Sequence, residues 1–214
     1  MARRRSTGVS EATTQRLSLL LRSLRELERE GVGSVSSSEL AERLGSNSAQ
    51  VRKDLAQLGE LGVRGVGYRV PELRTRIEGH TGLGTPRTLV VVGAGNLGKA
   101  LADSPNFHSE GFRIAAVFDV DPRKVGGRTR TGVPVLDAAG LGAAVRELGA
   151  AIGVVAVPAP AARAAADSLV AAGVKAILNF APHAVGPYPG VVVKNVDLTL
   201  LVETLGARLA ASGA

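Results

Sequence analysis

Apolar residues recur at Leu17, Leu20, Leu21, Leu24 and Leu27. That three-to-four spacing predicts an amphipathic helix over residues 13–30. Glu30-Gly31-Val32-Gly33 ends it, and Ser36 with Glu39 three positions on signals the start of a short helix reaching Leu44. The run Gly45-Ser46-Asn47-Ser48 breaks that helix. Ser48 is the expected cap of a third one over residues 49–58, with Val51, Leu55 and Leu58 facing inward. A long helix followed by two short ones around a glycine-containing turn predicts a helix-turn-helix. Glycine-flanked alternation over residues 59–70 then predicts a hairpin or wing, and residues 72–77 form a short amphipathic segment.

From residue 88 the pattern changes. Apolar runs at 88–92, 114–118, 152–157, 176–179 and 191–193 alternate with helical spacing, which predicts a parallel sheet wound with helices. A last helical pattern over 198–211 carries Leu201, Val202, Leu205 and Leu209 on one side. The Gly/Pro-rich stretch 79–87 reads as a linker. The expected organisation is therefore a helical unit over 1–78, the linker, a sheet domain over 88–197 and a terminal helix over 198–214.

The first sheet strand runs straight into Gly93-Ala94-Gly95-Asn96-Leu97-Gly98. In this G-x-G-x-x-G, the first glycine permits a tight turn and the second lets a pyrophosphate approach bare backbone. The third lets the following helix pack close to the strand. Asp119 closes the next apolar run, 21 residues after Gly98, where a ribose-binding carboxylate belongs. A carboxylate there repels a 2′-phosphate and favours NAD(H) over NADP(H), while Arg123 and Lys124 nearby soften that preference. Asp121 reads as a turn residue before Pro122. Val157-Pro158, after a later strand, fits either a plain strand-to-helix connection or the nicotinamide end of the same site.

Composition sharpens this picture. Of the 214 residues 45% are hydrophobic, enough for two cores. No apolar run reaches the ~18 residues of a membrane span. There is no cysteine, which excludes disulfides and thiolate metal sites and fits a cytoplasmic protein. Three scattered histidines make no metal cluster, so no metal is expected. The formal charge is +7; residues 1–78 hold 14 Lys/Arg against 10 Asp/Glu. Such an excess permits nucleic-acid binding without requiring it.

Gln50, Arg52, Lys53 and Gln57 share the outward surface of the third helix, beside Ser48 at its start. Arg can read guanine, Gln adenine, and Lys can contact phosphate. An ordinary solvated helix face has the same composition. The glycine-rich wing with Arg64, Tyr68 and Arg69 favours DNA, since a wing arginine suits a narrow minor groove. Whether the Arg3-Arg4-Arg5 run is a DNA-contacting arm or a tail stays open.

Five motifs occur together and in order: Gln50-Val51-Arg52-Lys53-Asp54-Leu55, Gly62-x-Arg64-Gly65-Val66-Gly67-Tyr68, Val92-Gly93-x-Gly95-x-Leu97-Gly98, Phe118-Asp119-Val120-Asp121-Pro122-x-Lys124-Val125-Gly126 and Asn179-Phe180-Ala181-Pro182. Through them the chain resembles the Rex family of redox-sensing transcriptional repressors over nearly its whole length. The resemblance implies an α/β protein: an N-terminal winged-helix DNA-binding domain, a Rossmann-like NAD(H) domain and a C-terminal helix swapped into the partner of a homodimer. It implies a repressor, not an enzyme, that binds palindromic operator DNA and is released by NADH, with NADH and NAD+ as its ligands. The implied cofactor residues are Gly93, Ala94, Gly95, Asn96, Leu97, Gly98, Asp119, Lys124, Val157 and Pro158, the resemblance favouring a pocket at the last two. The implied switch pairs Arg22 with Asp197 of the partner chain, next to Leu198.

Two positions depart from the family pattern. Ser104 stands where many members carry tyrosine, and Leu198 where many carry phenylalanine. A serine reaches less far than a phenol, and leucine fills an apolar slot without a ring to stack on nicotinamide.

Two other readings compete. An NAD-dependent dehydrogenase would need a general acid or base, yet no Tyr-x-x-x-Lys pair is present and His183 is the one tempting histidine. A coenzyme-A-binding module is opposed by Asp119, because coenzyme A carries a 3′-phosphate on its ribose.

Overall fold

The computed structural model describes residues 10–59, 61–63, 65–109 and 111–212. The chain forms two compact units that divide between Thr85 and Pro86.

The first unit opens with α1 (Glu11–Arg29), whose leucines at 17, 20, 21, 24 and 27 are all buried. After β1 (Ser34–Val35), helix α2 (Ser37–Arg43) starts in a full capping box between Ser36 and Glu39. Helix α3 (Ser48–Ala56) is capped by Asn47, not by Ser48. The Asn47 side-chain Oδ1 accepts the Gln50 N–H at 2.8 Å, which leaves Ser48 as the first helical residue. Strand β2 (Tyr68–Arg69) pairs antiparallel with β1, matching Val35 to Tyr68. The wing is thus a tight turn from Val63 to Gly67 returning into a strand that pairs with residues far upstream. Gly67 has φ +92°, and a Cβ there would lie 2.5 Å from the Val35 carbonyl oxygen.

Helix α4 (Val70–Thr81) is longer than the segment expected over 72–77. It runs through Gly79, His80 and Thr81 of the stretch expected as linker. An exposed glycine weakens a helix without ending it; the stop is Gly82, in the left-handed conformation at φ +69°. Leu17, Leu20, Leu24, Leu40, Leu55, Leu73 and Ile77 close the core of this unit.

The second unit is a six-stranded sheet with order β5-β4-β3-β6-β7-β8, every neighbouring pair parallel. Its strands are β3 (Arg87–Val92), β4 (Phe112–Asp119), β5 (Val135–Asp137), β6 (Ile152–Val155), β7 (Ala176–Asn179) and β8 (Val192–Asn195). Helices α5 (Asn96–Ala102), α6 (Pro105–Ser109), α7 (Leu141–Glu147) and α8 (Ala159–Ala172) connect them. Leu89 through Val92 are all buried, as a central strand covered on both faces requires. The order reverses between β3 and β6, so the strand ends there form the crevice in which such sheets bind ligands. β5, absent from the sequence expectation, is a three-residue edge strand.

One clamp shapes the segment after β4. Burial works against the charged form of Asp103, yet its carboxyl is held well below the usual range. It accepts the Thr131 hydroxyl and N–H, each at 2.7 Å, and the Arg130 N–H at 3.1 Å. The end of α5 is thereby tied to the turn that leads into β5.

Helix α9 (Leu198–Ala211) closes the described chain, with no residue buried. The Asp197 carboxylate caps it, accepting the N–H groups of Thr199 and Leu200 at 2.9 and 3.1 Å.

Candidate nucleotide cleft and nucleic-acid interface

The switch point between β3 and β6 opens into a cavity of about 540 Å³. Six residues expected from sequence line it: Gly93, Gly95, Asp119, Lys124, Val157 and Pro158. The three motif glycines have different reasons to be glycine. Gly93 sits at φ +107°, and a Cβ there would come within 2.2 Å of the Ala156 carbonyl oxygen. A Cβ on Gly98 would lie 1.8 Å from the Gly93 carbonyl oxygen. Gly95 has ordinary backbone angles, and nothing lies within 4 Å of where its Cβ would be. Gly93 and Gly98 are therefore demanded by the fold, whereas the empty space at Gly95 suits a group approaching the backbone. No side chain caps the first turn of α5, so its N–H groups receive no side-chain acceptor.

Asp119 is buried at the end of β4. Its Oδ2 accepts the Ala94 N–H at 2.7 Å and the Lys124 ammonium at 3.0 Å, and its Oδ1 accepts the Asp121 N–H at 2.9 Å. Burial pushes the Asp119 carboxyl up, but these donors outweigh it and hold the pKa below the ordinary value. Ala94 thus serves the site by positioning Asp119; it is itself buried. Asn96, Leu97 and Gly98 lie on α5 and are not among the residues lining the cavity. Asp121 behaves as the turn residue expected, accepting the Arg123 backbone N–H at 3.0 Å, and also borders the cavity.

Sequence reasoning missed much of the apolar wall. Val120 is 84% exposed beside Asp119, and Ala138, Leu141, Ala161, Ala165 and Ser168 are among the other lining residues. No charged side chain occurs among the cavity residues that follow β6.

In the first unit, Arg52 and Lys53 are exposed on α3, and Gln57 is exposed as the C-cap residue of that helix. The Arg52 guanidinium donates to the Ser37 hydroxyl at 3.1 Å. Gln50 is half-buried, its amide N–H donating to Asp54 at 3.0 Å. Tyr68 is half-buried against the helical core, and Arg69 is exposed, pairing with Glu72 at 3.4 Å. Arg64 and the first nine residues lie outside the described residues. Arg22 is exposed on α1 and Leu198 on α9, and Ser104 is half-buried between α5 and α6.

The residue sequence reasoning passed over is Asp54. It is almost fully buried on α3 and takes a bidentate pair from Arg16 of α1, at 2.5 and 2.7 Å. Arg16 beside it holds the Asp54 carboxyl below the usual range against the cost of burial, with help from Gln50. Because the folded-state pKa is the lower one, the pair's contribution is complete above the ordinary aspartate value of about 4 and is lost as pH falls through the folded value. Asp54→Ala is expected to destabilise this unit by roughly 2–3 kcal/mol at neutral pH, less than a fully buried pair because Arg16 keeps partial access to water. Thermal melts from pH 7 down to pH 3 check this: the gap between wild type and variant should close with acid.

Comparison with known proteins decides the family. A family model described as "CoA binding domain" matches residues 85–183, and one described as "Putative DNA-binding protein N-terminus" matches residues 8–56. The Redox-sensing transcriptional repressor Rex of Streptomyces coelicolor is 45% identical over 98% of this chain and 84% of its own. The protein of that name from Carboxydothermus hydrogenoformans is 47% identical over 92% and 94%. The chain belongs to the Rex family. Among solved structures, RSP in complex with beta-NAD+ and operator DNA superposes with a TM-score of 0.88 at 36% identity, covering 97% of this chain and 95% of that one. RSP in complex with beta-NADH gives 0.81 at 35% identity, covering 97% of each. These matches support the Rex resemblance seen in the motifs, and they support the Rossmann-like architecture behind a DNA-binding N-terminal unit.

Proposed function

We propose that this Rex-family chain is a DNA-binding transcriptional repressor that reads the NADH/NAD+ ratio and leaves its operator when NADH binds. One observation carries the reading: a recognition-helix unit and a glycine-cradled dinucleotide cleft occur on a single chain that aligns along almost its whole length with Rex repressors. The matching of the second unit to a coenzyme-A-binding model reflects a shared domain type. Asp119 at the ribose position opposes a phosphorylated ribose and favours NAD(H). The relatives are named repressors; we read this chain likewise as a repressor without dehydrogenase activity.

Gly95 leaves room for the pyrophosphate, Asp119 and Lys124 meet the adenosine ribose, and Val157 and Pro158 line the nicotinamide end. The oxidised nicotinamide ring is cationic and the reduced ring neutral. The wall after β6 supplies no counter-charge, so desolvation penalises the cation there. NADH is therefore expected to bind more tightly than NAD+. Calorimetry on the purified protein tests this; equal affinities would remove the redox-sensing reading.

On the DNA side, Ser48, Gln50, Arg52, Lys53 and Gln57 of α3 enter a major groove, with Arg64, Tyr68 and Arg69 on the wing. A palindrome places two recognition helices about one helical turn, ~34 Å, apart, which calls for a homodimer. The exposed aliphatic side chains of α9 suit a second copy of this chain. Arg22 pairs with Asp197 of the partner in the DNA-bound arrangement, and Leu198 lies beside that pair. Among the described residues no helix is long and apolar enough to cross a membrane, and we place the protein in the cytoplasm.

A further inference from the structure

The hydrogen bonds on Asp119 leave its carboxylate poorly prepared for a ribose. A carboxylate offers about four lone-pair positions, two on each oxygen. Oδ2 has both engaged, by Ala94 N–H and by the Lys124 ammonium. Oδ1 has one engaged, by Asp121 N–H. The two backbone donors are fixed by the strand end and the turn. Lys124 is the one donor carried on a long side chain, and it is only partly shielded from water. A ribose diol held on both carboxylate oxygens needs the position that Lys124 fills.

We propose that Lys124 swings from Asp119 to the ribose when the nucleotide binds, and that it determines how strongly the site rejects a 2′-phosphate. This rests on the reading of the cleft as an NAD(H) site. The charged side chains lining the cleft are Asp119, Asp121 and Lys124. A 2′-phosphate meets repulsion from Asp119 and attraction from Lys124, and the balance sets the discrimination. Arg123 is the other neighbouring cation. It is held in a two-pronged pair on Asp121, at 2.9 and 3.0 Å, and its side chain is 87% exposed, so water screens it. Asp121 is already neutralised by Arg123, which leaves Lys124 as the cation able to answer a phosphate within the cleft.

The test is calorimetric titration of the full-length protein with NADH and with NADPH, for wild type, Lys124→Met, Lys124→Gln and Asp119→Asn. Thermal melts confirm that each variant is folded. Both lysine variants should raise the NADH-over-NADPH affinity ratio at least tenfold, and Asp119→Asn should lower it. Wild-type binding of NADH with a ratio that neither lysine variant alters would overturn the role of Lys124 and leave the NAD(H) site standing. A wild type that binds neither nucleotide would overturn the reading of the cleft itself.

Discussion

Gly95→Ala is expected to leave the melting temperature within a degree or two of wild type while weakening NADH at least tenfold. A Cβ at Gly95 meets nothing within 4 Å, and the backbone there is in a conformation any residue adopts. The added methyl therefore costs the folded protein little. It stands where a pyrophosphate must approach the chain, and an ångström-scale obstruction of a charged hydrogen-bonding group forfeits more than the ~1.4 kcal/mol that a tenfold change represents. Gly98→Ala is the contrasting case. Its Cβ would sit 1.8 Å from the Gly93 carbonyl oxygen, so α5 must move off β3 and the second unit should lose several kcal/mol, on the order of the overpacking penalties seen in cores. Melting curves and NADH titrations of the two variants side by side separate the roles. If Gly95→Ala bound NADH as wild type does, the cleft would not be where the pyrophosphate lies.

The double change Leu201→Asp and Leu205→Asp should convert the protein to a monomer and lower operator affinity about a hundredfold or more. Leu198, Leu201, Val202, Leu205 and Leu209 recur at three- and four-residue steps along α9, each more than half exposed. No residue of the helix is buried within its own unit. The exposure of all these side chains excludes packing of this face on the sheet of its own unit. A contiguous apolar face of this kind marks an interaction surface. Two carboxylates in its middle oppose burial while keeping α9 helical, because the helix is capped by Asp197 and not by packing. Losing the dimer separates the two half-site contacts, whose joint binding is worth a factor of roughly 10²–10⁴. Sedimentation velocity and gel shift on the same sample check both parts. A dimer that survives the double change places the interface elsewhere.

Much of this architecture was readable in the chain because periodicity and burial coincide. The unbroken run Leu89 to Val92 could only be a strand covered on two faces, and Asp119 followed from its distance to Gly98. Other features had no such signal. β5 shows only Val135 and Leu136 as apolar residues after a proline, too few to be told from a loop. The cap of α3 was expected at Ser48, and only geometry shows that the Asn47 side chain one residue earlier reaches the Gln50 N–H. Gly79 looked like a stop because propensity reports a cost, whereas the tertiary contacts of Leu73 and Ile77 carry α4 past it. The rest of the cavity wall is largely alanines, with Val120 and Leu141, from separate elements, and these have no chemistry to single them out. Asp54 did carry a signal that went unused: it stands three residues after Val51, on the inward face of α3, and a buried carboxylate demands a cation.

The central claim joins the two units by one ligand, and operator release measures it directly. A labelled operator duplex bound by the full-length protein is titrated separately with NADH and NAD+, and the retained complex is followed by gel shift. Dissociation by NADH, with the complex persisting at equal concentrations of NAD+, is the predicted result. Equal release by both nucleotides, or by neither, would contradict it.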